Sequence, residues 1–303
     1  TPLYSSAASD VYKRQVLYES GDNPENAKTI AKAADAAIIV AGMTARDEGE
    51  GGPGYGDRED LNLHPEDEKL INAVGEVTDR LIVILEAGAA LVMENWKDNA
   101  EAILMAWYPG MEGGNALADI LFGDVNPSGK LPIAFAKSAD QYPPFDNKAK
   151  EVKYDYFHGY RLFDMKGMEP AFPFGFGLSY TTYKYSNLKL DQKQISKNGK
   201  IIASVDVTNT GKMAGEEIVQ LYVGYNGSKV DRPVKDLKAF TRVALNPAET
   251  KTVKLELNAR DLAYYEVSKN AWVIEEIEYI VYVGPSSKPE DLVLKDTFRV
   301  SSL

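Results

Sequence analysis

The sequence predicts an α/β plus all-β protein, with a parallel-sheet α/β domain followed by an antiparallel β-sandwich. Three observations carry this. From about residue 23 to 135, short apolar runs alternate with stretches of helical spacing. After about residue 180 the hydrophobic period drops to two. Between them, residues 137–179 are rich in Tyr, Phe and Pro and show little periodicity.

Pro24–Ala34 (PENAKTIAKAA) spaces its apolar residues as a helix does, and Pro24 suits a first helical turn. Asp35–Met43 (DAAIIVAGM) is a short apolar run, expected as a strand buried on both faces. Pro65–Asp79 opens with Pro and acidic residues, which complement a helix N-terminus. Leu81–Leu85 (LIVIL) and Ala102–Trp107 (AILMAW) read as further buried strands, and Gly113–Phe122 as a further helix. Such alternation implies a parallel sheet, whose ligands sit at the carboxyl ends of the strands. Farther on, Lys200–Val207, Ile218–Val223, Lys251–Leu257 and Ile277–Val283 are short strands separated by turn signals. The aromatic stretch between reads as an ordered linker packed on its neighbours, since so many rings are costly to leave in water.

Composition bounds the chemistry. The chain has 303 residues with 44% hydrophobic and 26% charged, enough to bury a core, and no apolar run approaches a membrane span. Cys is 0, which excludes disulfides, thiolate metal sites and cysteine nucleophiles and leaves the compartment open: cytoplasmic, or periplasmic and secreted. A net charge of −11 argues against nucleic acid and anionic membranes as partners. With only His64 and His158 there is no histidine-rich metal site, so the chemistry falls to carboxylates and no cofactor is implied. Ser5–Gln15 (SSAASDVYKRQ) resembles the translation of a common sequencing-library adapter, although a polar tail also fits. On the adapter reading, residues 1–15 are an artefactual tail and Val16 is an arbitrary entry into a longer protein.

The most informative segment is Ala45–Leu63 (ARDEGEGGPGYGDREDLNL), an acidic, glycine-rich loop between a strand and a helix. A solvated charge run is the bland reading, weakened by the glycines, whose backbone freedom is entropically expensive. Gly49, Gly51 and Gly54 fit a dinucleotide-binding G-x-G-x-x-G. However, Asp47, Glu48 and Glu50 would repel a pyrophosphate, and the helix starts only near Pro65. A third reading is a carboxylate presented as a general acid/base, its pKa raised by crowded neighbours. Ser128-Gly129-Lys130 superficially matches a phosphate loop, but Leu131 stands where Ser or Thr is required.

That acidic loop resembles the G-E-G…D-R loop of family-3 glycoside hydrolases, the β-glucosidase and β-xylosidase family. Other strings agree in order and spacing. Ala106–Asn115 (AWYPGMEGGN), Ala118–Phe135 and Pro173–Thr182 (PFGFGLSYTT) are similar to that family's α/β domain and the junction after it. Val207–Gly215, Val219–Val223, Arg232–Phe240 and Asp261–Leu262 are similar to its fibronectin-III-like domain. Glu276–Tyr279 (EIEY) departs from the family, which typically has a glycine before the tyrosine, and this puts a local turn in doubt. The resemblance implies a partial α/β sandwich domain over 16–136, the ordered linker over 137–179 and a fibronectin-III-like antiparallel β-sandwich over 180–303.

It further implies a retaining β-glycosidase acting on β-linked oligosaccharides or aryl glycosides. Glu50, in Gly49-Glu50-Gly51, matches the family's acid/base, with Glu48 as the runner-up after a two-residue slip. Tyr55 would form part of a sugar-stacking wall, and Arg58 with Asp57 would brace the loop by an ion pair. Trp96 and Trp107 are expected in the core and His158 as a packing residue of the linker. The family's nucleophile belongs to a (β/α)8 barrel domain that this sequence does not contain. The chain is therefore expected to be a fragment inactive alone. A non-catalytic carbohydrate-binding or scaffold module is the alternative.

Overall fold

The computed structural model describes residues 15–49, 58, 60–146 and 149–301. Most of the adapter-like string, Ser5–Arg14, lies outside the described residues, as do Glu50 and Tyr55. The chain folds as two compact units. The first runs to Phe122 and includes Ala136–Asp140 and Pro144–Val152; the second comprises Gly123–Phe135, Gln141–Pro143 and the chain from Lys153 onward.

In the first unit, helix α1 (Pro24–Ala33) begins where the Asn23 side chain accepts hydrogen bonds from the backbone N–H groups of Glu25 and Asn26. Pro24 occupies a position whose N–H would have had no helical partner. Strand β1 (Ala37–Gly42) leads into the acidic loop, and helix α2 (Pro65–Gly75) follows with Glu66, Asp67 and Glu68 in its first turn, favourable to the helix dipole. Strands β2 (Leu81–Glu86) and β3 (Ala102–Met105) and helix α3 (Gly113–Phe122) complete the unit. The sheet order is β1-β2-β3, all parallel, with Ile39 opposite Val83 and Ile84 opposite Leu104.

Because side chains alternate along a strand, Ile39 and Ala41 share one face of the sheet with Leu81, Val83 and Leu85, and all five are buried. Helix α2 packs on β1 and β2, and α1 packs on α2. Gly42 closes β1 against Glu86, and a Cβ there would overlap the Glu86 backbone carbonyl. Trp96 is buried, as its sequence context suggested.

The expected burial of two strands is corrected: in β3, Ala102 is exposed and Ile103, Leu104 and Met105 are only half-buried. β1 was read as buried on both faces, yet Ile38 is 50% exposed and Val40 60%. Among the described residues β1 is an edge strand, and α2 packs on one of its faces; apolar content alone cannot report on the second.

The second unit is an antiparallel β-sandwich preceded by helix α4 (Tyr160–Lys166), which ends on left-handed Gly167. Its strands are β4 (Tyr183–Leu190), β5 (Gln194–Ile195), β6 (Lys200–Asn209), β7 (Gly215–Asn226), β8 (Asp236–Leu245) and β9 (Thr250–Asn258), then β10 (Tyr264–Glu266), β11 (Ala271–Val273), β12 (Glu278–Gly284) and β13 (Leu294–Val300). One sheet has the order β5-β13-β12-β7-β8 and the other β4-β6-β9, while β10 and β11 form a separate hairpin. The period-two pattern explains the core: Val205, Val207, Leu221, Val223, Leu255, Tyr279, Val281 and Phe298 all point inward. At the departure from the family pattern, the chain bends at Glu276–Ile277 and β12 starts at Glu278, with Tyr279 fully buried. Glu276 pairs with Lys197 at 2.9 Å, and the bend forms without a glycine.

The aromatic stretch packs unevenly. Tyr160 stacks on Phe174 and Tyr142 meets Phe163 edge-on, but Tyr154 and Tyr156 are about half exposed and His158 is exposed. His158 therefore does not serve as a packing residue. It lies on the irregular segment ahead of α4, where its ring is within 3.4 Å of the Asp155 carbonyl.

The sandwich also buries a charge. Glu217 on β7 is 4% exposed, accepts a hydrogen bond from Tyr185 Oη at 2.9 Å and faces Lys130 Nζ at 3.2 Å. Burial pushes its carboxyl upward while Lys130 and Tyr185 oppose the shift. Lys130→Met strands this carboxylate and is expected to cost about 3–5 kcal/mol in urea unfolding, whereas the double change Lys130→Met, Glu217→Leu should recover most of the loss. Equal losses in both variants would contradict a buried-pair role.

Candidate functional site

The carboxyl ends of the three parallel strands converge on one side chain. After β1 the chain makes a tight turn in which the Asp47 carboxylate accepts from Thr44 N at 2.7 Å and from Thr44 Oγ1 at 2.6 Å. These hydrogen bonds, with a smaller contribution from His64 at 3.3 Å, hold the Asp47 carboxyl down at about 2. The turn is closed by Glu48 N donating to Thr44 O at 3.0 Å.

Glu48, the runner-up acid/base candidate, is thereby aimed across the sheet edge. Its Oε1 accepts from Gly88 N, just after β2, at 2.8 Å and from Tyr108 Oη, just after β3, at 2.7 Å. Its Oε2 lies 3.4 Å from Arg58 Nε, and the two side chains are only 14% and 8% exposed. Arg58 Nη2 also donates to Ala90 O at 3.0 Å. Arg58 thus braces Glu48; the expected partner Asp57 lies outside the described residues.

Burial, followed by the hydrogen bond to Glu48, pushes the Tyr108 phenol up to about 12, so it remains a proton donor over the whole neutral range. Gly88 lets the two side chains come close: a Cβ there would lie 3.2 Å from the Tyr108 ring, a tight contact, and 3.4 Å from Glu48 Oε1. Trp107 is half-buried instead of lying in the core, and its left-handed φ of 56° is unusual for a bulky residue. It turns the backbone between β3 and Tyr108. Sequence reasoning passed over Gly88 and Tyr108. The signal that would have found them is positional, because both follow a parallel strand at its carboxyl end.

Chemically, the arrangement is an anchored carboxylate, two residues before Glu50. Among the described residues, no group of three or more His, Asp or Glu side chains is placed to hold a metal ion.

Two predictions follow from this geometry. Glu48→Ala or Tyr108→Phe should cost about 1–3 kcal/mol in urea unfolding, the usual worth of hydrogen bonds to a charged group. Glu48→Ala should also speed hydrogen exchange at the Gly88 amide, and unchanged exchange there would refute the anchor. The Asp47 carboxyl should titrate near 2 by NMR. Since its folded value is depressed, the Thr44–Asp47 turn contributes stability above the unfolded carboxyl range and loses it as pH falls toward 2.

Comparison with known proteins gives the same picture across the chain. The family model described as glycosyl hydrolase family 3 C-terminal domain matches residues 5–180, and a fibronectin type III-like domain model matches residues 217–287. Thermostable beta-glucosidase B of Acetivibrio thermocellus is 42% identical over 305 aligned residues, covering 96% of this chain and 40% of the relative. A beta-xylosidase of Formosa agariphila is 40% identical over 86% of this chain and 35% of its own length. The crystal structure of a beta-glucosidase from Kluyveromyces marxianus in complex with glucose superposes with a TM-score of 0.84 at 36% identity, over 94% of this chain and 34% of that one. The chain thus spans 40% of the length of the Acetivibrio thermocellus relative and about a third of some others. It belongs to glycosyl hydrolase family 3, matching that family's C-terminal domain and a fibronectin type III-like domain.

Proposed function

We propose that this chain is the acid/base-bearing part of a retaining β-glycosidase of the β-glucosidase type, acting on terminal β-D-glycosides. Retaining cleavage needs two carboxyl groups about 5 Å apart, one as nucleophile and one as proton donor and then base. On this reading Glu50 protonates the leaving oxygen and later activates water. The nucleophile is an aspartate of a (β/α)8 barrel domain supplied by the part of the family's length that this chain does not span.

The observation that carries the reading is the occupation of Glu48. A general acid must turn a protonated oxygen toward the leaving group. Both Glu48 oxygens are already engaged, Oε1 by Gly88 N–H and the Tyr108 hydroxyl and Oε2 by the Arg58 guanidinium. That favours Glu48 as the anchor of the loop and Glu50 as the residue the anchored loop presents. Tyr55 is placed by the same reading beside the sugar.

The test is a fusion of residues 16–303 to the portion of the Acetivibrio thermocellus relative that the alignment leaves uncovered. Residues 16–303 alone should not turn over aryl β-glucosides. In the fusion, Glu50→Gln should lower kcat on substrates with poor leaving groups by about 10²–10⁴-fold. It should spare activated aryl glycosides in the first step, and added azide should rescue the second. Glu48→Gln should act more mildly and without azide rescue. Azide rescue at Glu48→Gln, with Glu50→Gln unaffected, would exchange the two roles.

A further inference from the structure

Side chains alternate along a strand, so the β10–β11 hairpin has two faces of different character. Tyr264 and Glu266 share one face, where Tyr264 Oη donates to Glu266 Oε2 at 3.4 Å. That face is clamped to the sandwich. The Arg232 guanidinium lies 5.7 Å from the Tyr264 ring and 3.6 Å from the Tyr225 ring, and its Nη2 donates to Leu262 O at 2.9 Å. Glu275 faces the same guanidinium at 3.8 Å, and both side chains are almost fully buried. The other face carries Tyr265 and Trp272, directly opposite each other in the antiparallel register. Their rings meet edge-on, with centroids 5.5 Å apart and planes at 73°. Yet Tyr265 is 45% exposed and Trp272 71%. Two three-residue strands are marginal by themselves, so the Arg232 clamp is what gives this aromatic corner a fixed shape.

We propose that the outer face of this hairpin is a binding site for a β-linked gluco-oligosaccharide. Trp272 is the stacking floor, Tyr265 the wall, and Asn270 a hydrogen-bonding group at the rim. Area argues against a protein partner. Two such rings bury at most about 300–500 Å², whereas a stable protein interface takes about 800 Å² from each side. A few pyranose rings fit the smaller figure. Charge agrees, because residues 264–273 hold one acid, Glu266, and one base, Lys269, and so suit a neutral ligand in a chain of net charge −11. The rim is polar: the Tyr265 hydroxyl donates to Asn270 Oδ1, and Asn270 is exposed at a left-handed φ of 48°. A pyranose matches all three features. Its C–H groups are weakly positive and lie against the negative face of an aromatic ring, while its equatorial hydroxyls reach the polar rim. The choice of β-linked glucose rests on the glycosidase reading above; the aromatic corner itself uses no residue of the acidic loop.

The experiment titrates the full chain with cellohexaose, with maltohexaose as the α-linked comparison. The readouts are calorimetry and the indole N–H signals in NMR, where Trp272 is one of three tryptophans and Trp272→Phe identifies its signal by loss. Saturable one-to-one binding of cellohexaose that shifts the Trp272 signal is expected. Trp272→Ala should weaken binding about tenfold or more. Tyr265→Ala and the ring-preserving Trp272→Phe should weaken it less, and Phe240→Ala, at an exposed aromatic residue of β8, not at all. Urea unfolding of each variant separates loss of binding from loss of folding, and if Trp272→Ala fails to fold, the indole shift of the unaltered chain decides. No binding of cellohexaose, equal affinity for maltohexaose, equal affinity in all variants, or self-association of the chain through Trp272 would each overturn the proposal. Hydrolysis of aryl β-glucosides by the fusion described above is measured separately. Binding without hydrolysis counts against the catalytic reading, and hydrolysis without binding counts against the hairpin site.

Discussion

The Glu48 carboxylate is the constraint on which the functional end of the α/β unit depends. It belongs to the turn after β1, yet its acceptor oxygens are satisfied by the backbone after β2 and the phenol after β3. One side chain therefore fastens the carboxyl ends of all three parallel strands, and a guanidinium from the far side of the acidic loop closes on it. Such charge-assisted hydrogen bonds are short and directional, and the low exposure of Glu48 and Arg58 shields them from screening. Replacing the carboxylate by anything shorter or uncharged releases three segments at once. Its worth therefore lies in geometry more than in the energy of any one bond.

That fastening explains why an acidic loop with so many glycines is useful. Glycine lets the backbone adopt unusual torsions but gives it no reason to hold them. A proton donor has to be held within a fraction of an ångström of its target, which a glycine-rich segment cannot do unaided. Glu48 and Arg58, which flank that segment, are held to each other. Asp47 tightens the arrangement further, since its depressed carboxyl stays ionised and keeps the Thr44 turn closed. Three acidic residues in a row of four thus have distinct tasks on this reading: turn closure for Asp47, anchoring for Glu48 and proton transfer for Glu50.

Much of this was legible in the sequence because it rests on period and order. The alternation of apolar runs with helical spacing located β1, β2, β3 and their helices to within a few residues, and the period of two located β6, β7, β9 and β12 of the sandwich but not its other strands. Burial on a second face was not legible, as β1 shows: Ile38 and Val40 look the same in sequence whether or not a layer covers them. Long-range partners were equally invisible. The acidic residues of the loop stood out in the sequence, but the anchoring of Glu48 depends on Gly88 and Tyr108, which lie 40 and 60 residues away from it. The contact of Arg58 with Glu48 was equally invisible, since its sequence neighbour Asp57 was the obvious partner to look for.

The two units of this chain are unequal in how fully they enclose their apolar surface. The sandwich interior is closed: its core residues from both sheets are almost fully buried, and even its charged Glu217 is matched by a lysine and a phenol. The α/β unit is closed on one face of β1 and open on the other. Hydrophobic burial scales with area removed from water, so a strand with one bare face forgoes part of the stabilisation its composition could supply. An aliphatic face of this kind is favoured where another layer covers it, because uncovered it invites nonspecific association. A retaining glycosidase needs a second carboxyl group opposite the first, and a parallel sheet needs a second layer opposite the first. On the reading proposed above, that second carboxyl comes from a further length of chain.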